Sequence, residues 1–211
     1  MYDKRMTSVL TGATVNQLRH WQRDHGQGPL LVPSRGPGRQ ALYSFQDIVA
    51  LRMFVLLRQD TSLQKIRKAV SYLVEQHPET HLSTHRLKAS PGGKTIVWIA
   101  DDGDIIDVVE HPGQRGIRVV MEEIFGSFDT EDGRTVPDLR TPAPGLEIDR
   151  DIRGGYPVLE GTRLPYDAVS SLLHDGLSAS EIIAIYPTAT PNGIDGARRF
   201  AEMIASNTSA A

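Results

Sequence analysis

Apolar positions recur at helical spacing in three stretches of the first 78 residues, and a polar start signal precedes each. In GATVNQLRHWQRD (12–24), Val15, Leu18 and Trp21 form the apolar set, with Thr14 as N-cap and Gln17 as the side chain that reaches back to it. Ser44 and Asp47 repeat the device ahead of FQDIVALRMFVLLRQ, whose stripe is Ile48, Leu51, Val55 and Leu56. Thr61 and Gln64 do so ahead of LQKIRKAVSYLVEQH, with Leu63, Ile66, Val70, Leu73 and Val74 in period and Pro78 as its stop. Between them, GPLLVPSRGPGRQALYS has two short apolar arms joined by a turn of Gly, Pro and Arg, which predicts a small hairpin. Helix, turn, helix, basic hairpin, helix is the order of a winged helix-turn-helix, expected over residues 1–78.

From 79 to 136 the period shortens. Runs of β-branched residues broken by Gly, Pro and Asp predict at least three strands, with DDGD at 101–104 as a hairpin turn. Residues 137–146, rich in proline and poor in apolar residues, read as a linker. From 147 to 211 three helical segments return. Pro165 is placed at N1 of the first and Gly176 closes it; Ser178 and Glu181 box the second; Thr190 caps the third, again with proline at N1. Their stripes are Val169/Leu172/Leu173, Ile182/Ile183/Ile185 and Ile194/Phe200/Ile204, enough for a three-helix bundle. The expected fold class is α+β, mainly helical, with a β-hairpin region in the middle.

Charge divides the chain further. Residues 1–75 hold eleven Lys/Arg against five Asp/Glu, a net of +6, and the remainder carries a net of −9. A basic first third and an acidic remainder suggest two tasks. The absence of cysteine removes disulfides, thiolate metal sites and cysteine nucleophiles. No run has signal-peptide or membrane-span character, so the expected location is cytoplasmic, with no membrane partner. His77, His81 and His85 stand four apart, but Pro78 interrupts any helix that would align them, and neither DDGD nor DTEDGRTVPD has the closing Glu of a calcium loop. Neither a metal nor a cofactor is expected. SRGPGR lacks the lysine and Ser/Thr of a phosphate loop, and no nucleophile–base pattern stands out, so an enzyme is not expected.

LTGATVNQLRHW, RGPGRQALYSFQDI and LRMFVLLRQDTSLQKI, in that order over residues 6–75, resemble the MerR-like DNA-binding domain. Two positions depart from its pattern: His20 replaces the first aromatic of a pair, and Ala41 replaces the arginine two residues before the wing tyrosine. The resemblance implies base contacts from Asn16, Gln17 and His20 on a helix capped by Thr14, and backbone contacts from Arg19, Arg35, Arg39 and Tyr43. The chemistry of the side chains fits that division: Asn and Gln match an adenine edge, while arginines on a turn hold phosphates.

GGYPVLEGTRLPYDAV, DGLSASEIIAIYP and GIDGARRFAEMI, over about 147–205, resemble a small bacterial domain family of unknown function with a homeodomain-like fold. Many of its members are encoded beside a PIN-like ribonuclease and are read as antitoxins. The pairing with a MerR-like domain is similar to one group of VapB-like antitoxins. This implies a homodimeric repressor of operator DNA that also silences a cognate PIN-like ribonuclease toxin. Arg163, in the Gly161-Thr162-Arg163 turn, either reaches a carboxylate on that partner or ties its own arm to the bundle; Arg198 and Arg199 are further toxin-binding candidates. The alternative is a stand-alone MerR-like regulator that responds to a small molecule.

Overall fold

The structure, a computed structural model, describes residues 1–24, 26, 28–36, 40–89, 96–99, 105–107, 109 and 124–207. It opens on α1 (Lys4–Thr11), started by Asp3, whose carboxylate accepts from the Met6 N–H at 2.8 Å. The buried face of α1 is partly hydroxyl. Thr7 and Thr11 are buried and donate to the carbonyls of Asp3 (2.6 Å) and Thr7 (2.7 Å) one turn back. α2 (Val15–Trp21) follows after a turn and begins at the predicted Thr14–Gln17 capping box.

α3 (Phe45–Asp60) starts at the predicted Ser44–Asp47 box. It buries ten of its sixteen residues, so it runs through the centre of the molecule instead of presenting one stripe. α4 (Leu63–Gln76) is capped by Ser62, not by Thr61: Thr61 closes α3, donating to the Leu57 carbonyl at 2.9 Å. Val74, expected on the apolar stripe of α4, is 50% exposed.

After a 3-10 turn at Leu82–Thr84, an antiparallel sheet runs in the order β1 (Arg86–Ala89), β2 (Ile96–Ile99), β3 (Ile105–Asp107). Leu87 pairs with Trp98 and Trp98 with Ile106. The expected DDGD turn lies outside the described residues. β1 packs on α3 and β2 on α4, which places the sheet beside the helical core. The hairpin β4 (Phe128–Asp129) and β5 (Thr135–Val136) and the pair β6 (Leu146–Glu147) and β7 (Val158–Leu159) complete the strands.

The C-terminal bundle is α5 (Tyr166–His174), α6 (Ala179–Ile185) and α7 (Pro191–Ser206). The Ser178–Glu181 box and the Thr190 cap with Pro191 at N1 stand where expected, while Pro165 is the N-cap of α5 and not its first residue. α5 and α7 form the main contact, with Tyr166 edge-on to Phe200 at 4.9 Å between ring centres. Ile185 is left exposed.

Residues 137–146, whose composition reads as a linker, contain packed side chains. Leu139, Ala143 and Leu146 are buried, and the Leu139 N–H donates to the Phe125 carbonyl at 2.7 Å. α7 accommodates this segment with Gly196, where an added Cβ would stand 2.1 Å from the Pro144 carbonyl oxygen. The bundle also docks on the N-terminal helices. Tyr2 donates from its hydroxyl to the Gly155 carbonyl, and Asn207 donates to the Ser8 hydroxyl at 3.0 Å.

Arg52, in the middle of α3, is fully buried. Its guanidinium donates to the carbonyls of Leu10 (2.5 Å), Pro137 (3.0 Å), Phe125 (3.4 Å), Ile124 and Gly126, and lies 4.9 Å from the Phe128 ring centre. Burial lowers its pKa to about 10, with nearby Asp138 opposing the shift, so it remains a cation at neutral pH. Removal of the side chain takes this donor from five carbonyls, of which that of Phe125 keeps the Leu139 N–H. Arg52→Ala is expected to lower unfolding free energy by about 3–5 kcal/mol, read from urea titration. Wild-type stability in the variant would exclude Arg52 as a structural tie.

Candidate DNA-binding surface

α2 divides cleanly into two faces. Leu18 and Trp21 are buried, Trp21 standing edge-on to Phe54 with ring centres 6.3 Å apart. Asn16, Gln17, Arg19 and His20 are exposed. Arg19 donates to the Asn16 side-chain oxygen at 3.1 Å, so the two are already aligned on one face. The Gln17 carbonyl oxygen accepts from the Thr14 N–H at 2.7 Å, and the Gln17 N–H donates to the Thr14 hydroxyl at 3.1 Å. Capping therefore engages one lone pair of the Gln17 oxygen and leaves its amide NH2 group for a base edge, so a two-bond adenine contact would share that oxygen with the cap.

Lys4 adds a cation that the sequence pattern did not mark. Burial and, after it, the charge of Arg19 lower the pKa of its ammonium, so the two like charges repel. An approaching polyanion would relieve that repulsion.

The wing is minimal. Arg35 and Leu42 exchange backbone hydrogen bonds of 3.1 and 2.7 Å, with Gly36 at φ 70° turning the chain. Arg35 is exposed, and Arg39 lies outside the described residues. Tyr43 is 1% exposed, pairs through its backbone with Tyr2, and accepts a hydrogen bond from Gln22 on its hydroxyl. Burial raises its pKa to about 12. The fold thus uses Tyr43 to fix the wing to the end of α2 and withdraws it from the surface where a phosphate contact was expected. Ala41 is buried as well, so the missing family arginine leaves no gap at the surface.

The wing root rests on Asp47, which is 1% exposed. Its carboxylate accepts from the Ser34 hydroxyl (2.6 Å), the Ser34 N–H (3.2 Å) and the Ser44 N–H (2.8 Å), and faces His81 Nε2 at 3.1 Å. Burial pushes the carboxyl pKa up, but the bonds from His81, Ser34 and Ser44 together outweigh it and hold it below the usual carboxylate range. His81 is therefore spent on the wing root, while His77 and His85 pack against Trp98 at 4.9 and 5.6 Å between ring centres. Among the described residues no group of His, Asp or Glu is arranged to hold a metal ion.

The C-terminal candidates separate. Gly161 turns the chain at φ 72°, and Thr162 holds the turn by donating to the Leu159 carbonyl at 2.8 Å. Arg163 is exposed, and its side chain makes no ion pair or hydrogen bond among the described residues. Arg198 bridges Asp195 and Glu202, and Arg199 bridges Asp195 at 2.7 Å, as surface pairs along α7.

Because its folded pKa is depressed, Asp47 contributes stability that is present above its unfolded value and lost as pH falls through the folded one. Asp47→Asn is expected to cost about 1–3 kcal/mol at pH 7, a deficit that shrinks below about pH 4, measured as urea midpoints across that range. A deficit independent of pH would place the effect in packing.

Residues 5–73 match the family described as MerR HTH family regulatory protein, and residues 146–201 match the family described as protein of unknown function, DUF433. Two relatives are named Uncharacterized HTH-type transcriptional regulator: Mb1861 of Mycobacterium bovis and Rv1830 of Mycobacterium tuberculosis. Each is 32% identical over 121 residues, covering 56% of this chain and 52% of its own. The chain therefore spans about half the length of these curated relatives. The crystal structure of Rv2018 from Mycobacterium tuberculosis shares the fold over 93% of this chain and 96% of that one, with a TM-score of 0.53 and 18% identity. Among the described residues no helix is long and apolar enough to cross a membrane. The chain is thus similar to MerR-type helix-turn-helix regulators over residues 5–73 and to the DUF433 family over residues 146–201.

Proposed function

We propose that the protein is a transcriptional regulator that reads operator DNA through α2, with Asn16, the Gln17 amide and His20 toward base edges and Arg19, Lys4, Arg35 and Arg39 on phosphates. The observation that carries this reading is the polar face of α2, held outward by the burial of Leu18 and Trp21. Seven residues do not make a stable helix alone, so the capping box and this anchoring hold the reading face in place. A homodimer placing two such helices on half-sites supplies the specificity that one short helix lacks.

The finer reading assigns the region beyond residue 76 to a cognate PIN-like ribonuclease toxin, which makes the protein an autorepressing antitoxin. Its support is the DUF433 match together with Arg163, an exposed cation with no partner among the described residues on a glycine-opened turn. Guanidinium geometry suits the carboxylates of a metal-dependent nuclease site. Arg198 and Arg199 are weaker candidates because Asp195 and Glu202 already engage them.

Asn16→Ala combined with Arg19→Ala is expected to weaken binding to the protein's own upstream DNA by about 10²-fold or more. Wild-type affinity should fall with salt at a log–log slope of about −0.9 per phosphate contact. Unchanged affinity in the double variant would remove α2 from the interface. For the finer reading, the neighbouring operon gene is expressed alone and then with this protein. Growth arrest relieved by co-expression, with relief lost on Arg163→Ala, is the expected outcome; a harmless neighbour would contradict it.

A further inference from the structure

The turn that sets α2 against α1 is held from outside the helix-turn-helix. Arg134, at the end of the β4–β5 loop, donates from Nη2 to the Gly12 carbonyl at 3.0 Å, across 122 residues of chain. Its Nε is bound by Asp132 at 2.8 Å, and Asp132 accepts in turn from the Thr130 hydroxyl. The same hairpin fills the other side of the turn. Gly12 sits at φ 77°, and a Cβ added there would stand 2.7 Å from a methyl of Val136 and 2.8 Å from that of Thr130. Beside the loop the hairpin is also fastened to α3, where Gln59 donates to the Asp129 carbonyl at 2.7 Å.

Two cavities meet at this grip. One, of about 180 Å³, lies between the hairpin and Thr14, Gln17 and Trp21. The other, of about 310 Å³, lies between the hairpin and Ser8, Met203 and Asn207. Gly12 and Arg134 line both. Within the turn, the Gly12 N–H donates to the Ser8 carbonyl at 2.9 Å and the Ala13 N–H to the Thr11 hydroxyl at 3.2 Å; the Arg134 bond adds a directional tie that reaches the turn from the middle region.

We infer that Arg134 is a positioning residue for DNA reading: from the middle region it sets the angle at which α2 leaves α1. This rests on the assignment of α2 as the reading helix. Base-edge hydrogen bonds demand alignment, whereas long Lys and Arg side chains keep reaching phosphates from a tilted helix. Loss of the tie therefore lowers specific binding and spares non-specific binding.

The test uses the full chain with Arg134→Ala and Arg134→Lys. Hydrogen exchange of the Ala13 to Leu18 amides in the free protein is expected to quicken by about tenfold in Arg134→Ala and to recover substantially in Arg134→Lys, which keeps a charged donor. Affinity for the upstream site should fall by about tenfold in Arg134→Ala, while affinity for random duplex and the salt slope stay at wild-type values. Unchanged exchange overturns the inference regardless of any DNA result. Equal loss on both duplexes with a shallower salt slope also overturns it, because Arg134 would then be touching phosphate itself. A wild-type protein with no preference for its upstream site would sink the DNA-reading assignment instead, and the exchange result would still decide the tie.

Discussion

A charged guanidinium inside a protein core is tolerable only if its five N–H groups find acceptors, and Arg52 finds them in backbone carbonyls drawn from three places. Leu10 lies on α1, Ile124, Phe125 and Gly126 enter the β4 strand, and Pro137 follows β5. None of these carbonyls can leave without stranding a buried charge. Arg52 thus ties α1 and α3 of the helix-turn-helix to residues 124–126 and 137. The C-terminal bundle joins the N-terminal region through smaller ties, Tyr2 to Gly155 and Asn207 to Ser8.

That constraint explains how a seven-residue helix can serve as a reading head. α2 has too few internal hydrogen bonds to define its own direction, so direction comes from its surroundings. Trp21 and Leu18 fix its roll, Thr14 and Gln17 fix its start, and Tyr43 meets Gln22 just past its end. Asp47 does for the wing what Arg52 does for the core, gathering Ser34, Ser44 and His81 around one buried carboxylate. The proposed DNA-facing surface is therefore supported by charges that themselves face inward.

Local signals were legible in the sequence, and long-range ones were not. The Thr14–Gln17, Ser44–Asp47 and Ser178–Glu181 boxes are readable because both partners lie three residues apart. Thr61 was indistinguishable from Ser62 as a cap, since both are hydroxyl residues ahead of the same helix. Asp47 was visible as a cap but not as the wing's anchor, because Ser34 and His81 are distant in the chain. Nothing local marks Arg52 within FQDIVALRMFVLLRQ, because its buried role depends on carbonyls 42 to 85 residues away. The proline-rich 137–146 segment has a linker's composition, and Leu139 and Leu146 within it are buried. At the candidate surface the polar residues of α2 were legible, whereas the burial of Tyr43 and the repulsion between Lys4 and Arg19 depend on the assembled fold.

The central claim is that one polar helix face, held by this inward-charged frame, reads a DNA sequence. Its most direct test is a competition titration of the wild-type protein between duplex from its own upstream region and random duplex at physiological salt. The account predicts a preference of about 10³-fold or more, with protection confined to two half-sites about one helical turn apart. Equal affinity for the two duplexes would contradict it.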